Sequence, residues 1–263
     1  RLVPGNHAWI RLRSMTELER LFGLTGRVAL VSGASRGIGF AIAHGLVHAG
    51  AKVYGIGRSA QPSASCEFFY LPCDVSDANR FAEICQGIVK ESGRIDVYVH
   101  AAGITMPDQA TQDPNNVFSQ TVAANLTSAH HCCVTIAAQM EQTGGGSIIN
   151  ITSIASELGF PGNPGYVASK GGLRAMTKAL AVDLGVKNIR VNNLAPGYIR
   201  TAMTERSYAD PAIRIDRMNR MALKRWGAPH DLVGAAIFLA SEASAYVTGA
   251  DLFVDGGWTA KGL

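Results

Sequence analysis

Charge and aromatic side chains are both sparse in this chain: of 263 residues, 17% are Asp, Glu, Lys or Arg and 7% are Phe, Trp or Tyr. With 47% apolar residues beside so few charges, the composition excludes a disordered chain and suits a buried core. No apolar run reaches the roughly 18 residues of a bilayer-spanning helix, so no membrane contact is expected. Cysteine is scarce, at Cys66, Cys73, Cys85, Cys132 and Cys133, an odd number without a C-x-x-C. There is no H-E-x-x-H and no Cys/His cluster at zinc spacing, so no metal is expected. Vicinal Cys132 and Cys133 read as core filler on a helix. Reduced thiols in a cytoplasmic protein are the expectation.

Excess basic charge is thin as well. The 24 Lys and Arg against 20 Asp and Glu give +4, but Arg1, Arg11 and Arg13 lie in an N-terminal stretch without acids. Without those three, 21 bases face 20 acids, a net +1. No basic stripe with interleaved aromatics remains to follow phosphates, which argues against nucleic acid. Residues 1–14 lack the apolar region of a signal peptide, and Leu2-Val3-Pro4-Gly5-Asn6-His7 resembles a vector-encoded protease-site linker. The expectation is that 1–14 are a cloning remnant or disordered extension, that Met15 is the natural start, and that 15–263 form a single domain.

What is present is alternation. Apolar, β-branched runs at 27–32, 52–57, 67–71, 95–100, 147–152, 188–194 and 250–254 read as strands. Between them, Ile38, Ile42, Leu46 and Ala49 recur at helical spacing until Gly50. Further helical patterns cover 77–91, 114–142, 165–184 and 230–241. Alternating β and α units predict an α/β fold, a single doubly wound parallel seven-stranded sheet with helices on both faces. Ligands in such sheets sit beyond the carboxyl ends of the strands. The irregular stretch 198–228, rich in Met and Arg, is long enough to be a lid over a substrate.

The first strand runs into Gly33-Ala34-Ser35-Arg36-Gly37-Ile38-Gly39. Glycines there let the backbone approach a pyrophosphate at the helix N-terminus. No G-K-[ST] follows, which excludes a Walker loop. NAD-binding sheets usually end the second strand on an acid that accepts from the ribose. Here that end reads Gly57-Arg58-Ser59, and Arg36 and Arg58 could converge on a 2′-phosphate. NADP(H) is therefore favoured, with NAD(H) possible. Asp74 either accepts from an adenine amino group or caps the turn before Ser76.

Tyr166 and Lys170 stand at i, i+4 in Y-V-A-S-K, with Ser153 thirteen residues upstream and Asn125 further back. They share a helix face. A phenol of pKa near 10 becomes a useful acid/base if nearby cations favour the phenolate, so Lys170 and an oxidised nicotinamide are expected to lower Tyr166. Ser153 would orient the substrate oxygen, and it lacks the G-x-S-x-G context of a hydrolase nucleophile. Asn125 reads either as a helix-surface residue or as a post connecting Lys170 to solvent.

In order and spacing these residues resemble the short-chain dehydrogenase/reductase family over residues 24–257. The resemblance rests on the glycine turn, Asp74-Val75, Asn125, Ser153, Tyr166-x-x-x-Lys170, Pro196-Gly197 and Asp255-Gly256-Gly257. It implies a Rossmann fold and a proton relay of Tyr166, Lys170, a water and Asn125, with Lys170 also gripping the nicotinamide ribose. It implies that Ala102 and Gly103 line the cofactor cleft, that Ile199 and Thr201 hold the carboxamide and pyrophosphate, and that the assembly is a homotetramer. One motif departs: the usual N-N-A-G is His100-Ala101-Ala102-Gly103, so the missing asparagine contacts must be supplied elsewhere. His100 reads as a satisfied strand-end residue and not a second base.

The expected substrate is a small molecule, a polar hydroxyl or ketone compound such as a sugar acid, ketose or polyol. The ending Val254-Asp255-Gly256-Gly257-Trp258 and the short link between the second and third strands look like sugar- and gluconate-type members. The pocket should draw on residues 154–163, with Glu157, Leu158, Phe160 and Asn163, and on Met203 beyond Thr201. A 3-oxoacyl carrier-protein reductase, docking an acidic carrier on Arg206, Arg214, Arg217 and Arg220, is the alternative. A catalytically idle nucleotide-sensing protein is a third reading, opposed by the intact Asn/Ser/Tyr/Lys set.

Overall fold

The computed structural model describes residues 16–106 and 113–261; the expectations for 1–14 and for Met15 lie outside them. Strand β1 (Val28–Ser32) is buried at every position, as a strand covered on both faces must be. Its side chains alternate between two cores. Val28 and Leu30 join Phe81, Ile84, Cys133 and Ile136, whereas Ala29 and Val31 join Ile42, Leu46, Ala236 and Leu239. The first layer is carried by α3 (Ala78–Ser92) and α5 (Ser128–Gln142), the second by α2 (Gly37–His48) and α9 (Val233–Ala240).

The remaining strands are β2 (Lys52–Gly57), β3 (Phe69–Pro72), β4 (Val97–His100), β5 (Gly146–Ile151), β6 (Ile189–Pro196) and β7 (Asp251–Val254). They form one seven-stranded sheet in the order β3-β2-β1-β4-β5-β6-β7, with every pairing parallel. The order reverses between β1 and β4, which opens a crevice at their carboxyl ends. Asp96, 2% exposed, ties the entry of β4 to β1: its carboxylate accepts from the Val28 amide at 2.8 Å and from Arg94 Nε at 2.8 Å.

All seven expected strands form, with shifted ends. Glu67 and Phe68 precede β3, an edge strand whose residues are half-buried or exposed, and Pro72 closes it. The expected helix 114–142 is α4 (Pro114–Val122) and α5 joined by a π turn, Ala123–Thr127, with Asn125 in its middle. The expected helix 230–241 begins as a 3₁₀ turn, Pro229–Leu232, before α9. Helix α6 (Pro164–Gly185) opens on a proline, whose fixed φ suits a first helical position. The stretch 198–228 contains α7 (Glu205–Ala209) and α8 (Pro211–Arg220). Periodicity missed α1 (Glu17–Phe22), six residues long, although Thr16 and Glu19 form a capping box.

Phe81 is fully buried and meets Tyr98 edge-on, ring centroids 5.8 Å apart. Phe81→Ala is expected to lower stability by about 3–5 kcal/mol in urea titration. A loss under about 1 kcal/mol would contradict the packing of α3 on the sheet.

Candidate active site

The crevice begins where β1 ends. Gly33 has φ +68°, and a Cβ there would lie 2.7 Å from the Ala101 carbonyl; a Cβ on Gly39 would come within 2.4 Å of the Gly33 oxygen. Side chains are thus excluded where β1, the chain after β4 and α2 meet. The result is a cleft of about 840 Å³ walled by Gly33, Ser35, Arg36, Gly37, Ile38 and Gly39. Its other walls include Arg58, Asp74, Val75, Ala102, Gly103 and Thr201. Amides at the start of α2 line it, which suits a pyrophosphate.

Arg36 and Arg58 are exposed on this cleft, and among the described residues neither has an ion pair or side-chain hydrogen bond. Asp74 Oδ1 accepts from the Ser76 amide at 2.9 Å and hydroxyl at 2.8 Å. Burial alone would raise its carboxyl, but the Ser76 bonds and the Arg58 charge hold it below the ordinary value. Asp74 therefore caps the turn while remaining on the cleft wall. The glycine cradle and two uncommitted guanidiniums fit a phosphorylated dinucleotide. Pro196, Gly197 and Ile199 stand behind the wall. The Gly197 amide donates to Val254 O at 3.1 Å, and Ile199, 3% exposed, packs into the core while its carbonyl accepts from Thr204 Oγ1 at 2.6 Å.

Beyond Gly103 the wall becomes polar. A Cβ on Gly103 would sit 3.2 Å from Asn125 Oδ1 and 3.6 Å from Lys170 Nζ. Asn125 is fully buried; Oδ1 accepts from the Ile104 amide at 2.8 Å, and Nδ2 donates to Ile104 O at 2.9 Å and Ser169 Oγ at 3.1 Å. These bonds explain why the helix widens there, a π turn being frequent at functional sites. Lys170, 5% exposed, donates from Nζ to Ile151 O at 2.7 Å, and burial pulls its pKa down to about 8. Ser153 Oγ accepts from the Ala155 amide at 3.1 Å, capping the 3₁₀ turn Ile154–Ser156.

Tyr166 is half-buried, with its ring centroid 5.8 Å from Lys170 Nζ. Burial pushes its phenol up, opposed by the Ser153 hydroxyl. The expected lowering by Lys170 together with an oxidised nicotinamide belongs to the cofactor complex; in the chain by itself burial sets the direction, and the ammonium is committed to the Ile151 carbonyl.

The altered H-A-A-G segment finds its own support. Tyr98 Oη lies 2.8 Å from His100 Nδ1, Ser32 Oγ lies 3.4 Å from the same nitrogen, and the Ala102 amide donates to Ser32 Oγ at 3.3 Å. Burial, with Lys170 and His131 nearby, pulls His100 down to about 3. A neutral imidazole this weakly basic is no general base at neutral pH. Cys132 and Cys133 are fully buried, and burial pushes both thiols up, which makes them inert packing.

A second pocket of about 370 Å³ lies between Leu158, Gly159, Phe160 and Pro161 on one side and Tyr198, Asp216, Arg217, Arg220 and Trp258 on the other. Asn163 Nδ2 donates to Thr105 Oγ1 at 2.7 Å, bringing its loop to the chain after β4. Glu157 instead pairs outward with Arg174 at 2.7 Å, and exposed Met203 lines the larger cleft. The aromatic lining was not evident from the sequence because Phe160, Tyr198 and Trp258 are far apart in the chain.

A family model described as enoyl-(acyl carrier protein) reductase matches residues 33–259. Gluconate 5-dehydrogenase of Gluconobacter oxydans is 37% identical over 248 residues, covering 91% of this chain and 97% of that one. The chain belongs to the short-chain dehydrogenase/reductase family. A 3-oxoacyl-[acyl-carrier-protein] reductase of Chlamydia muridarum is 37% identical over 244 residues, 89% of this chain and 98% of its own. Among solved structures, a gluconate 5-dehydrogenase from Burkholderia cenocepacia in complex with NADP and tartrate superposes with a TM-score of 0.86. It is 34% identical, covering 92% of this chain and 98% of that one. As a short-chain dehydrogenase/reductase, the protein is an oxidoreductase that works with a nicotinamide dinucleotide. Among the described residues, no helix is long and apolar enough to cross a membrane.

The buried imidazole has a consequence in acid. His100 is held at about 3 against an ordinary 6.5, so between those values the unfolded chain takes up a proton that the folded chain refuses. Stability must fall as pH drops through that window. Denaturant titrations at pH 7 and pH 5 should show His100→Asn losing less stability on acidification than the parent; equal losses would contradict the assignment.

Proposed function

We propose that this enzyme interconverts a secondary alcohol and a ketone on a small sugar acid or related polyol, with NADP(H) as hydride carrier. The observation that carries this is the convergence of Tyr166, Ser153, Lys170 and Asn125 at the end of a cleft whose far wall holds Arg36 and Arg58. The nicotinamide, when bound, gives or accepts the hydride and in its oxidised form adds positive charge near Tyr166. In reduction the Tyr166 phenol donates its proton to the carbonyl oxygen, and in oxidation the phenolate removes it from the alcohol. Ser153 holds the same oxygen by a hydrogen bond. Lys170, with its pKa near 8, can exchange a proton close to neutrality, and the ammonium hydrogens not given to Ile151 O would hold the nicotinamide ribose. Asn125 fixes Ile104 and Ser169, and a water beside it would complete the path to solvent.

The preference for NADP(H) rests on Arg36 and Arg58, which lack other partners among the described residues, and on the missing carboxylate after β2. Thr201, on the cleft wall, would hold the pyrophosphate, and Ile199 on the chain that leaves β6 would hold the carboxamide from behind it. The segment carrying α7 and α8 serves as the lid. The sugar-acid class is supported by relatives named for gluconate and 5-keto-D-gluconate. A carrier-protein substrate suits the lid less well, because Arg220 pairs with Asp216 while Arg214 and Arg217 lie against the rings of Tyr208 and Tyr198. We further place the enzyme in the cytoplasm as a homotetramer joined through α4, α5, α6 and β7. Apolar Phe118, Val134 and Val182, exposed on those helices, favour such contacts.

Tyr166→Phe should reduce kcat about 10²–10⁴-fold while nucleotide affinity survives; steady-state kinetics with 5-keto-D-gluconate and fluorescence titration separate the two, and retained turnover would overturn the role. Titration with NADPH and NADH should favour NADPH by about tenfold or more, and Arg58→Ala should erase most of that margin. Equal affinities in the parent would refute the phosphate assignment.

A further inference from the structure

Helices α7 and α8 of the lid carry four arginines, and the structure separates them. Arg220 pairs with Asp216 at 3.2 Å. Arg214 lies 5.4 Å from the Tyr208 ring centre and donates to Tyr208 O at 3.5 Å. Arg206 is exposed and does not line the second pocket. Arg217 is half-buried, with its guanidinium 4.3 Å from the Tyr198 ring centre and 5.6 Å from that of Trp226. Among the described residues it has no carboxylate partner and no side-chain hydrogen bond.

Arg217 also lines the pocket formed with Leu158, Phe160, Tyr198 and Trp258. A guanidinium laid on an aromatic face keeps its N–H edge free, and that edge matches the two oxygens of a carboxylate. The pocket's single acid, Asp216, is neutralised by Arg220, which leaves Arg217 as its uncompensated charge. The volume of about 370 Å³ falls in the range of small-molecule sites. Leu158, Gly159, Phe160 and Pro161 of its lining belong to the loop that leads from Ser153 to Tyr166, which joins the pocket through the chain to the reacting residues.

We propose that Arg217 is the specificity-determining residue of this enzyme, binding the carboxylate of a sugar-acid substrate while Tyr198 and Trp226 hold its face. This deepens the sugar-acid reading above and rests on it. Carboxylate affinity then comes mainly from one residue, and neutral polyols or ketoses lack that contact. The Arg217–carboxylate bridge should weaken as salt is added.

The test uses the full chain saturated with NADPH, which leaves an alcohol ligand unreacted, titrated with sodium D-gluconate and separately with D-mannitol. Tryptophan fluorescence reports binding, since Trp258 lines the pocket and Trp226 abuts Arg217. Wild type should respond saturably to gluconate. Arg217→Met, which keeps the packing volume, should weaken gluconate about 10- to 100-fold, with partial recovery in Arg217→Lys. In turnover, KM for 5-keto-D-gluconate should rise with kcat largely kept, and KM for neutral ketoses should not move. Unchanged gluconate affinity in Arg217→Met overturns the proposal. Equal loss of gluconate and neutral ligands also overturns it, because that marks a collapsed pocket. If gluconate binds through Arg217 but no sugar acid is turned over, the anion site stands and the substrate reading falls. If sugar acids are turned over with a KM indifferent to Arg217→Met, the substrate reading stands and the anion site falls.

Discussion

The site depends on one buried ammonium. Lys170 is 5% exposed and donates at 2.7 Å to the carbonyl of Ile151, the last residue of β5. A buried charge is tolerated only with good partners, and a strand-end carbonyl supplies one here. That bond, with Asn150 Nδ2 donating to Thr177 Oγ1 at 2.9 Å, ties α6 to β5. Tyr166 stands one helical turn before the lysine, and Ser153 two residues beyond the carbonyl. Gly103 closes the space from β4, where a Cβ would lie 3.6 Å from the ammonium. The Tyr166 phenol, the Ser153 hydroxyl and the Lys170 ammonium are thus brought together by where the backbone places α6 and the end of β5.

The two ends of the reaction are held in different ways. At the cofactor end, glycines remove side chains so that backbones can approach, and the charges are exposed and uncommitted until a ligand arrives. At the substrate end, rings from residues far apart in sequence pack together: Tyr198 meets Trp258 at 4.8 Å and Trp226 at 5.3 Å between centroids. Arg217 of α8 lies 4.3 Å from the centre of the Tyr198 ring, and Phe160 of the loop after β5 meets the same ring at 6.1 Å between centroids. Between the two ends, Tyr98, His100 and Ser32 do at the end of β4 what asparagines usually do in this family. A neutral, buried imidazole can take that place because its Nδ1 finds hydroxyl partners.

Much of this was legible in the sequence where the determinants are local. A fully apolar strand followed by a glycine turn and a helical repeat specifies β1, the turn and α2 almost without context, and Y-x-x-x-K on one helix face places the phenol above the lysine. The π turn at Asn125 was not legible, because it answers to Ile104, 21 residues away. Helix α8 was hidden by its polar, Met- and Arg-rich composition, although Asp210-Pro211 is a start signal that the structure uses. The direction of the Tyr166 shift in the chain by itself also escaped: burial is a property of the packed molecule, and i, i+4 spacing does not say where an ammonium points. The same holds for the lid arginines, whose sequence is one basic run and whose surroundings are four different environments.

The most direct test of the account is whether a hydride moves from NADPH to a sugar acid on this enzyme. NADPH deuterated at C4, prepared separately on each face, should be incubated with 5-keto-D-gluconate and the product weighed by mass spectrometry. The account predicts one deuterium gained at the former carbonyl carbon from one of the two isotopomers. Absence of label in the sugar acid from both, with label appearing in neutral ketones or in none, would contradict it.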